Sequence, residues 1–144
     1  MNFFYEKLKN LNNAKDIYSI SNDKSARKFS VNTKKFSYAS HLSWLKKIIK
    51  KKNENIFLVK SNKKIIGIIR VKKKQKNLND LSWGLKKSFR GKRLGKKMLK
   101  NFVKKFKSKY CAKIKRNNHA SIKICNHAGF DLSIKRKEYN YYKN

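Results

Sequence analysis

The pattern of hydrophobic and polar positions changes most clearly between Leu81 and Phe106. Leu81, Trp83 and Leu85 alternate with polar or small residues, which predicts a strand with one buried face that ends near Lys87. Apolar residues then recur every three to five positions with lysines between them, which predicts an amphipathic helix. These apolar residues are Leu94, Met98, Leu99, Phe102, Val103 and Phe106. The sequence therefore predicts a strand that leads through a short turn into a helix.

The N-terminal third of the chain predicts two helices. Residues 14–21 mix apolar and polar positions and predict a short helix, while residues 2–8 fit either a short strand or an ordered arm. The pattern over residues 38–51 is stronger, because lysines fall opposite an apolar stripe. We predict a helix there, capped by Ser37 or Ser40. The stripe consists of Leu42, Leu45, Ile48 and Ile49.

Two strands are predicted after this helix. Residues 56–59 and 64–71 are apolar segments, and residues 61–63 between them are typical of a hairpin connection. Gly67 lies inside the second segment, which indicates that another part of the backbone comes close to it. With the strand at 81–85, these segments predict an antiparallel run of three strands.

The last third of the chain alternates between strands and a helix. Residues 110–114 alternate as a short strand, and a helix that opens at Asn118 or Ser121 ends at Gly129. Gly129 occupies the place of a left-handed cap residue. Two short strands complete the chain, at residues 130–134 and 138–142. Together the elements predict the α/β class, with a mixed sheet and helices on both faces.

Length and composition limit the organisation of the chain. At 144 residues it is long enough for one core and too short for two ordinary ones, so we predict a single domain over residues 1–144. The chain has 41 Lys and Arg against 7 acids, and its formal net charge of +34 would normally indicate nucleic acid or an anionic membrane. These basic residues are spread over every segment, so we expect nucleic acid to bind non-specifically if at all.

Three further features exclude other classes of protein. Cys111 and Cys125 have no metal-ligand spacing, and the three histidines form no ligand pattern with them, so we predict no metal. The apolar run 65–71 is interrupted by Gly67 and Arg70, and the N-terminus has no secretion signal. We therefore expect a cytoplasmic protein without a membrane span, either monomer or homodimer.

The turn between the predicted strand and helix is a candidate binding site. In Arg90-Gly91-Lys92-Arg93-Leu94-Gly95 two glycines let backbone amides approach a ligand, and the helix N-terminus directs N–H groups at it. Such a turn suits a phosphate. A tight connection with solvated lysines would have the same sequence, so the turn alone leaves both alternatives open.

Two motifs together resemble the GNAT superfamily of acetyl-CoA-dependent N-acetyltransferases. Residues 90–95 are similar to the family's R/Q-x-x-G-x-G/A pyrophosphate loop, although Arg93 stands at its first glycine. Residues 118–122 and 128–130 resemble the family's N-x-x-S-I and terminal G-F segments, in the expected order and spacing. The resemblance covers nearly the whole chain from Ser25. It implies a GNAT-like sheet that contains a splayed pair of parallel strands.

The resemblance also implies acetyl-CoA as the cosubstrate and a set of residues that hold it. The end of the strand would pair with the pantetheine arm, and the amides of the turn would hold the pyrophosphate, which basic side chains and a helix N-terminus can neutralise. By position, the cofactor-binding residues are Leu85, Lys86, Lys87, Arg90, Gly91, Lys92, Arg93, Leu94, Gly95, Lys96 and Asn118.

Acetyl transfer to an amine needs a neutral nucleophile, a donor to the carbonyl oxygen and an exit for the thiolate. Asp80 stands ten residues before Arg90, where many relatives have a strand acid that takes the amine proton, although Asn79-Asp80 could equally be a turn. A backbone N–H near Leu85 would meet the oxyanion. Cys125 stands where many relatives have a tyrosine that protonates the departing sulfur, so it is either a weak acid or a buried helix residue.

Arg27, His41 and Trp44 resemble the acceptor side of members that acetylate nucleotide-linked amino sugars, as in pseudaminic acid biosynthesis. Arg27 can hold a diphosphate with two N–H groups, and His41 can donate to phosphate or ribose. The alternatives are a surface arginine and a histidine that caps its helix.

We therefore expect an acetyl-CoA-dependent N-acetyltransferase whose small-molecule substrate is a nucleotide-linked amino sugar. The amine of the sugar would attack acetyl-CoA directly in a ternary complex. Two alternatives stay open. One is a ribosomal-protein type of N-terminal acetyltransferase, and the other is a non-enzymatic basic module that binds nucleic acid.

Overall fold

In the computed structural model, which describes residues 2–144, seven strands form one mixed sheet. The elements in chain order are β1 (Phe4–Lys7), α1 (Ala14–Ser21), α2 (Lys24–Lys28), α3 (Tyr38–Lys50), β2 (Glu54–Ser61), β3 (Lys64–Gln75), β4 (Leu78–Leu85), α4 (Leu94–Lys105), β5 (Tyr110–Lys115), α5 (His119–His127), β6 (Asp131–Lys135) and β7 (Tyr139–Lys143). A 3₁₀ turn at Lys87–Phe89 lies between β4 and α4. The strand order across the sheet is β1-β2-β3-β4-β5-β7-β6.

Strands β1 to β4 form the predicted antiparallel half, extended by β1 at its edge. Asn62 and Lys63 join β2 to β3, and both have positive φ, as a two-residue hairpin turn requires. β3 continues beyond the predicted end at residue 71 to Gln75, and β4 begins at Leu78. The alternative that Asn79-Asp80 is a turn is therefore wrong, because both residues lie within β4.

The helices cover the two faces of the sheet and create two clusters of buried side chains. We use the name α4 face for the side covered by α4 and α5, where Met98, Leu99 and Phe102 are fully buried. We use the name α1 face for the side covered by α1 and α3, where Ile17 and Leu45 are fully buried. The predicted mixed α/β fold with helices on both faces is confirmed.

The two glycine predictions are confirmed as well. A Cβ atom on Gly67 would lie 2.6 Å from the carbonyl oxygen of Gly84 on the next strand, which is the close backbone approach that the sequence indicated. Gly129 follows α5 with a φ of 94°, in the left-handed region that a glycine cap occupies.

The parallel pair β4 and β5 is splayed. The two strands pair only where Asn79 lies opposite Tyr110 and Asp80 opposite Cys111. Beyond these positions, residues 81–85 of β4 pair with β3 on one side and with none of residues 2–144 on the other. We call the gap between residues 81–85 and residues 112–115 the slot.

Candidate active site

The slot is lined by backbone groups of β4. The N–H of Asn79 donates to the carbonyl of Lys109 at 3.0 Å toward β5, whereas the N–H of Lys86 donates to the carbonyl of Ile66 at 2.7 Å toward β3. N–H directions alternate along a strand. The N–H of Leu81 is used in the pairing of Asp80 with Cys111, so the N–H groups that point into the slot are those of Trp83 and Leu85. They can pair with an extended chain inserted beside β4.

The turn after β4 leaves the N-terminus of α4 without a side-chain cap. Arg93 is the N-cap residue and makes no capping hydrogen bond, whereas Asp23, Ser37 and Asn118 cap α2, α3 and α5. The first hydrogen bond of α4 runs from the N–H of Lys97 to the carbonyl of Arg93. The preceding N–H groups have no acceptor within the helix, and together with the helix dipole they suit a diphosphate.

Arg93 and Gly95 occupy the two glycine positions of the family loop in different ways. Arg93 has a φ of 60°, in the left-handed region that a glycine adopts without strain, and a non-glycine residue there costs about 1 kcal/mol. A Cβ atom on Gly95 would lie 2.6 Å from Cδ1 of Ile124. The missing side chain at Gly95 therefore lets α5 pack closely against α4.

Arg90 and Lys86 connect the turn to the segment that carries α1 and α2. Arg90 donates from Nε to the carbonyl of Leu85 at 3.0 Å and from Nη1 to Oδ2 of Asp23 at 2.9 Å. Lys86 donates to Oδ1 of Asp16 at 3.0 Å. Burial opposes the ionisation of Asp23, but hydrogen bonds from Arg90 and from the backbone of α2 keep its pKa below the usual value. A bound phosphate would compete with these carboxylates for Arg90 and Lys86.

Asp80 lies at the closed end of the slot, at the last position where β4 and β5 pair. Its carboxylate is 48% exposed and lies 3.9 Å from Nζ of Lys74. Leu81 packs on the α4 face, and Gly84 contacts Ile20 on the α1 face. Because side chains alternate along a strand, Asp80 projects from the α1 face. A carboxylate at the fork of the two strands can take a proton from a group that approaches from that face.

Cys125 lies in the core behind α4. Its side chain is fully buried, and burial raises the pKa of the thiol to about 12. This environment favours the alternative of a buried helix residue over that of a weak acid. Asn118 opens α5 as predicted, and its side chain accepts a hydrogen bond from the N–H of Ser121 at 3.2 Å.

Arg27 stabilises the loop between α2 and α3. Its guanidinium donates to three backbone carbonyls and to the hydroxyl of Ser30, and it lies 4.8 Å from the ring centroid of Phe36. The three carbonyls belong to Ser21, Asn32 and Lys34. Arg27 is therefore not a free surface arginine, and most of its donors are already used within the protein.

His41 lies in the interior, where it is 2% exposed. Its ring lies 5.3 to 6.4 Å, between centroids, from the rings of Tyr18, Phe36, Tyr38 and Trp44. Burial lowers the pKa of His41, and a contact with the Ala14 backbone opposes this only partly. That contact does not meet hydrogen-bond geometry, so neither ring nitrogen has a partner among residues 2–144. The alternative that His41 caps its helix is therefore wrong.

A cleft of about 360 Å³ lies in front of this aromatic group. Tyr18 and Tyr38 line it, together with Asp23, which also binds Arg90. Arg27, His41 and Trp44 do not line this cleft, whereas Tyr18 and Tyr38, whose rings lie beside that of His41, do.

Sequence reasoning missed a charged group on the α1 face. Glu54 of β2 is 1% exposed and forms an ion pair with Arg70 of β3, whose guanidinium lies 5.0 Å from the ring centroid of Trp44. Lys51 also contacts Glu54, at 3.4 Å. The only sequence signal was an arginine inside an apolar strand and a glutamate in a chain with few acids. The described residues contain no cluster of His, Cys, Asp or Glu that could hold a metal ion.

Comparisons with known proteins identify the class. The family model described as the acetyltransferase (GNAT) domain matches residues 7–131. The chain belongs to the GNAT acetyltransferase family. It is an acetyl-CoA-dependent N-acetyltransferase, as the sequence predicted. No curated protein sequence matches it. None of the helices in residues 2–144 has the length and apolar character needed to cross a bilayer.

Solved structures share the fold at low sequence identity. The Campylobacter jejuni N-acetyltransferase PseH in complex with acetyl coenzyme A matches with a TM-score of 0.78 and 19% identity, over 99% of this chain and 98% of that chain. The ribosomal-protein acetyltransferase RimL in complex with coenzyme A matches with a TM-score of 0.85 and 12% identity, over 100% of this chain and 94% of that chain. The spermidine N-acetyltransferase from Vibrio cholerae in complex with CoA and spermine matches with a TM-score of 0.82 and 12% identity, over 98% of this chain and 92% of that chain.

Proposed function

We propose that the acetyl acceptor is the primary amine of a nucleotide-linked amino sugar. The donor half of the reaction is supported by one observation above all: the slot exposes strand N–H groups and ends at the uncapped N-terminus of α4. The acceptor half is supported by the resemblance at Arg27, His41 and Trp44 and by the fold shared with PseH. The basic chain also suits a cleft in which two anionic ligands meet.

In this proposal the slot and the turn hold the donor. The strand N–H groups in the slot pair with the pantetheine arm, and the N–H groups before Lys97 hold the diphosphate. The basic residues of the turn neutralise the phosphates. The N–H of Leu85 lies where it can donate to the oxygen of the thioester carbonyl, which becomes negative during attack.

Asp80 acts as the general base. The amine nitrogen attacks the carbonyl carbon of the thioester, Asp80 accepts the proton that the amine loses, and the carbon–sulfur bond breaks. The thiolate leaves among lysine and arginine side chains, because Cys125 is a poor proton donor in the core. Cys111 and Cys125 are both free thiols, as is usual in a reducing compartment, and we place the enzyme in the cytoplasm.

The donor site is tested by calorimetric titration of acetyl-CoA into a matched pair of variants. Lys96→Gln removes a charge at the N-terminal end of α4, and Lys104→Gln removes one at the other end of the same helix. We expect Lys96→Gln to weaken binding several-fold and Lys104→Gln to leave it unchanged. Absence of saturable binding by the unmodified protein would refute the proposed donor site.

The acceptor is tested by a screen with acetyl-CoA and mass detection of the products. The acceptors are amino-sugar nucleotides, spermidine and a peptide with a ribosomal-protein N-terminus. We expect acetylation of an amino-sugar nucleotide at the highest kcat/KM. Preferential acetylation of the peptide would favour the ribosomal-protein alternative and refute the sugar proposal.

The role of Asp80 is tested by the pH dependence of the rate. Asp80→Asn removes the proton acceptor and should lower the rate at neutral pH by about 100-fold. The rate should recover partly at high pH, where the amine loses its proton to solvent. A variant whose pH profile matches that of the unmodified enzyme would exclude Asp80 as the base.

A further inference from the structure

Arg70 is held in one orientation by two neighbours. Nε and Nη2 of Arg70 both contact Oε2 of the buried Glu54, and Trp44 lies under the guanidinium. A planar guanidinium fixed by a carboxylate at one edge and an aromatic ring at one face is preorganised for a further ligand. Nη1 has no hydrogen-bond acceptor among residues 2–144, and the side chain is 36% exposed. Arg70 therefore presents unused N–H groups at the surface.

The strand register places Arg70 beside the proposed base. Arg70 lies opposite Ser82 on β4, and Asp80 lies opposite Lys72. Arg70 and Asp80 are thus diagonal neighbours on one face, about 7–8 Å apart. Ser82 between them is exposed, so no helix covers this part of the sheet. An acceptor with its amine at Asp80 would extend over Arg70.

Arg70 is better placed to bind an anionic acceptor than Arg27 and His41, the two polar residues among the three that the sequence suggested. Arg27 already makes four hydrogen bonds within its own loop, and His41 is enclosed by aromatic rings. Arg70 combines a fixed guanidinium, free N–H groups and an open surface next to the reacting position.

We propose that Arg70 selects the acceptor by binding a phosphate group that the acceptor carries near its amine, with Glu54 and Trp44 as positioning residues. This inference rests on the proposed function, which puts the amine at Asp80. Phosphate oxygens accept paired, charge-assisted hydrogen bonds from a guanidinium. A polyamine offers no such acceptor and is repelled by the same charge, so Arg70 discriminates against it.

The test must not leave a buried carboxylate without a partner, as Arg70→Gln alone would. The reference is therefore Glu54→Gln, and the test variant combines Glu54→Gln with Arg70→Gln, because two amides can still form a hydrogen bond. Glu54→Gln with Arg136→Gln removes a charge elsewhere and controls for non-specific attraction to this basic protein. Inorganic pyrophosphate is titrated by calorimetry into the unmodified protein and into each variant, all saturated with CoA, and thermal melting confirms folding.

We expect Arg70→Gln to weaken pyrophosphate binding about 10- to 100-fold relative to the reference, while the Arg136→Gln control binds like the reference. With an amino-sugar nucleotide as acceptor, the same change should raise KM for the acceptor and leave KM for acetyl-CoA unchanged. Equal pyrophosphate binding with and without Arg70, or none in the unmodified protein, would overturn the inference. Failure of CoA itself to bind would instead refute the proposed function.

Discussion

Substitution of Gly95 by alanine tests why the second glycine of the turn is present. The family loop accepts alanine at this position, yet here a Cβ atom would lie 2.6 Å from Cδ1 and 3.3 Å from Cγ1 of Ile124. Two explanations compete. Either the glycine serves the packing of α5 on α4, or it serves the approach of a ligand to the turn.

The expected size of the effect follows from two opposing contributions. Alanine in a helix gains about 0.5–1 kcal/mol over glycine. Overpacking costs about 1–3 kcal/mol, and the lower end applies because Cδ1 is the end of a flexible side chain. We expect a net loss of about 0.5 kcal/mol, which corresponds to a fall in Tm of about 2 °C.

Ile124→Val removes the atom that a Cβ at position 95 would meet. Alone it should cost about 0.5–1.5 kcal/mol. Combined with Gly95→Ala it should restore the stability of the unmodified protein, which gives a favourable coupling energy of about 1–2 kcal/mol. Thermal or denaturant unfolding of the four proteins measures this coupling. Additivity within about 0.5 kcal/mol would refute the packing explanation.

The affinity for acetyl-CoA distinguishes the two explanations, packing of α5 on α4 and approach of a ligand to the turn. If the glycine serves only packing, the stable double variant binds acetyl-CoA like the unmodified protein. A double variant that is stable but binds weakly would show that the ligand itself needs the glycine.

Two further predictions concern buried polar groups. His41→Phe replaces two unpartnered ring nitrogens and should raise the free energy of unfolding by about 1–3 kcal/mol. The pKa of His41 is lowered in the fold, so below about pH 6.5 the unfolded state binds a proton that the native state does not. The stability gained by the substitution should therefore grow as the pH falls. A gain that does not change with pH would contradict the burial of a neutral His41, and loss of acceptor binding in the stable variant would support its predicted ligand role. Burial also raises the pKa of Cys111 and of Cys125, so a thiol reagent at mildly alkaline pH should label neither residue until the protein unfolds; rapid labelling of the native protein would contradict this.

The sequence predicted best where a single local period decides the structure. Leu81, Trp83 and Leu85 pack on the α4 face because alternate positions of a strand share a face, and the change to a helical period after Arg93 follows equally from local spacing. Asn118 as the cap of α5 and Gly129 beyond its end follow from the chemistry of helix ends.

The sequence failed where the outcome depends on which distant residues meet. Residues 54 and 70 belong to different strands, and their contact follows from the register of β2 with β3, which no local pattern reveals. Arg27 donates mainly to loop carbonyls, which every residue type carries. The burial of His41 depends on the rings of Tyr18 and Phe36, which come from outside its own helix. The sequence also missed α2, which is only five residues long.

The splayed strands leave a gap in the pattern of protected amides across the sheet. Trp83 and Leu85 lie in the middle of the fold, but their N–H groups lack a partner strand, so their hydrogens should exchange with deuterium as fast as those of a loop. An inserted pantetheine arm would supply the missing acceptors and slow that exchange. This interior gap in the sheet is therefore also the place where ligand binding should leave a clear trace.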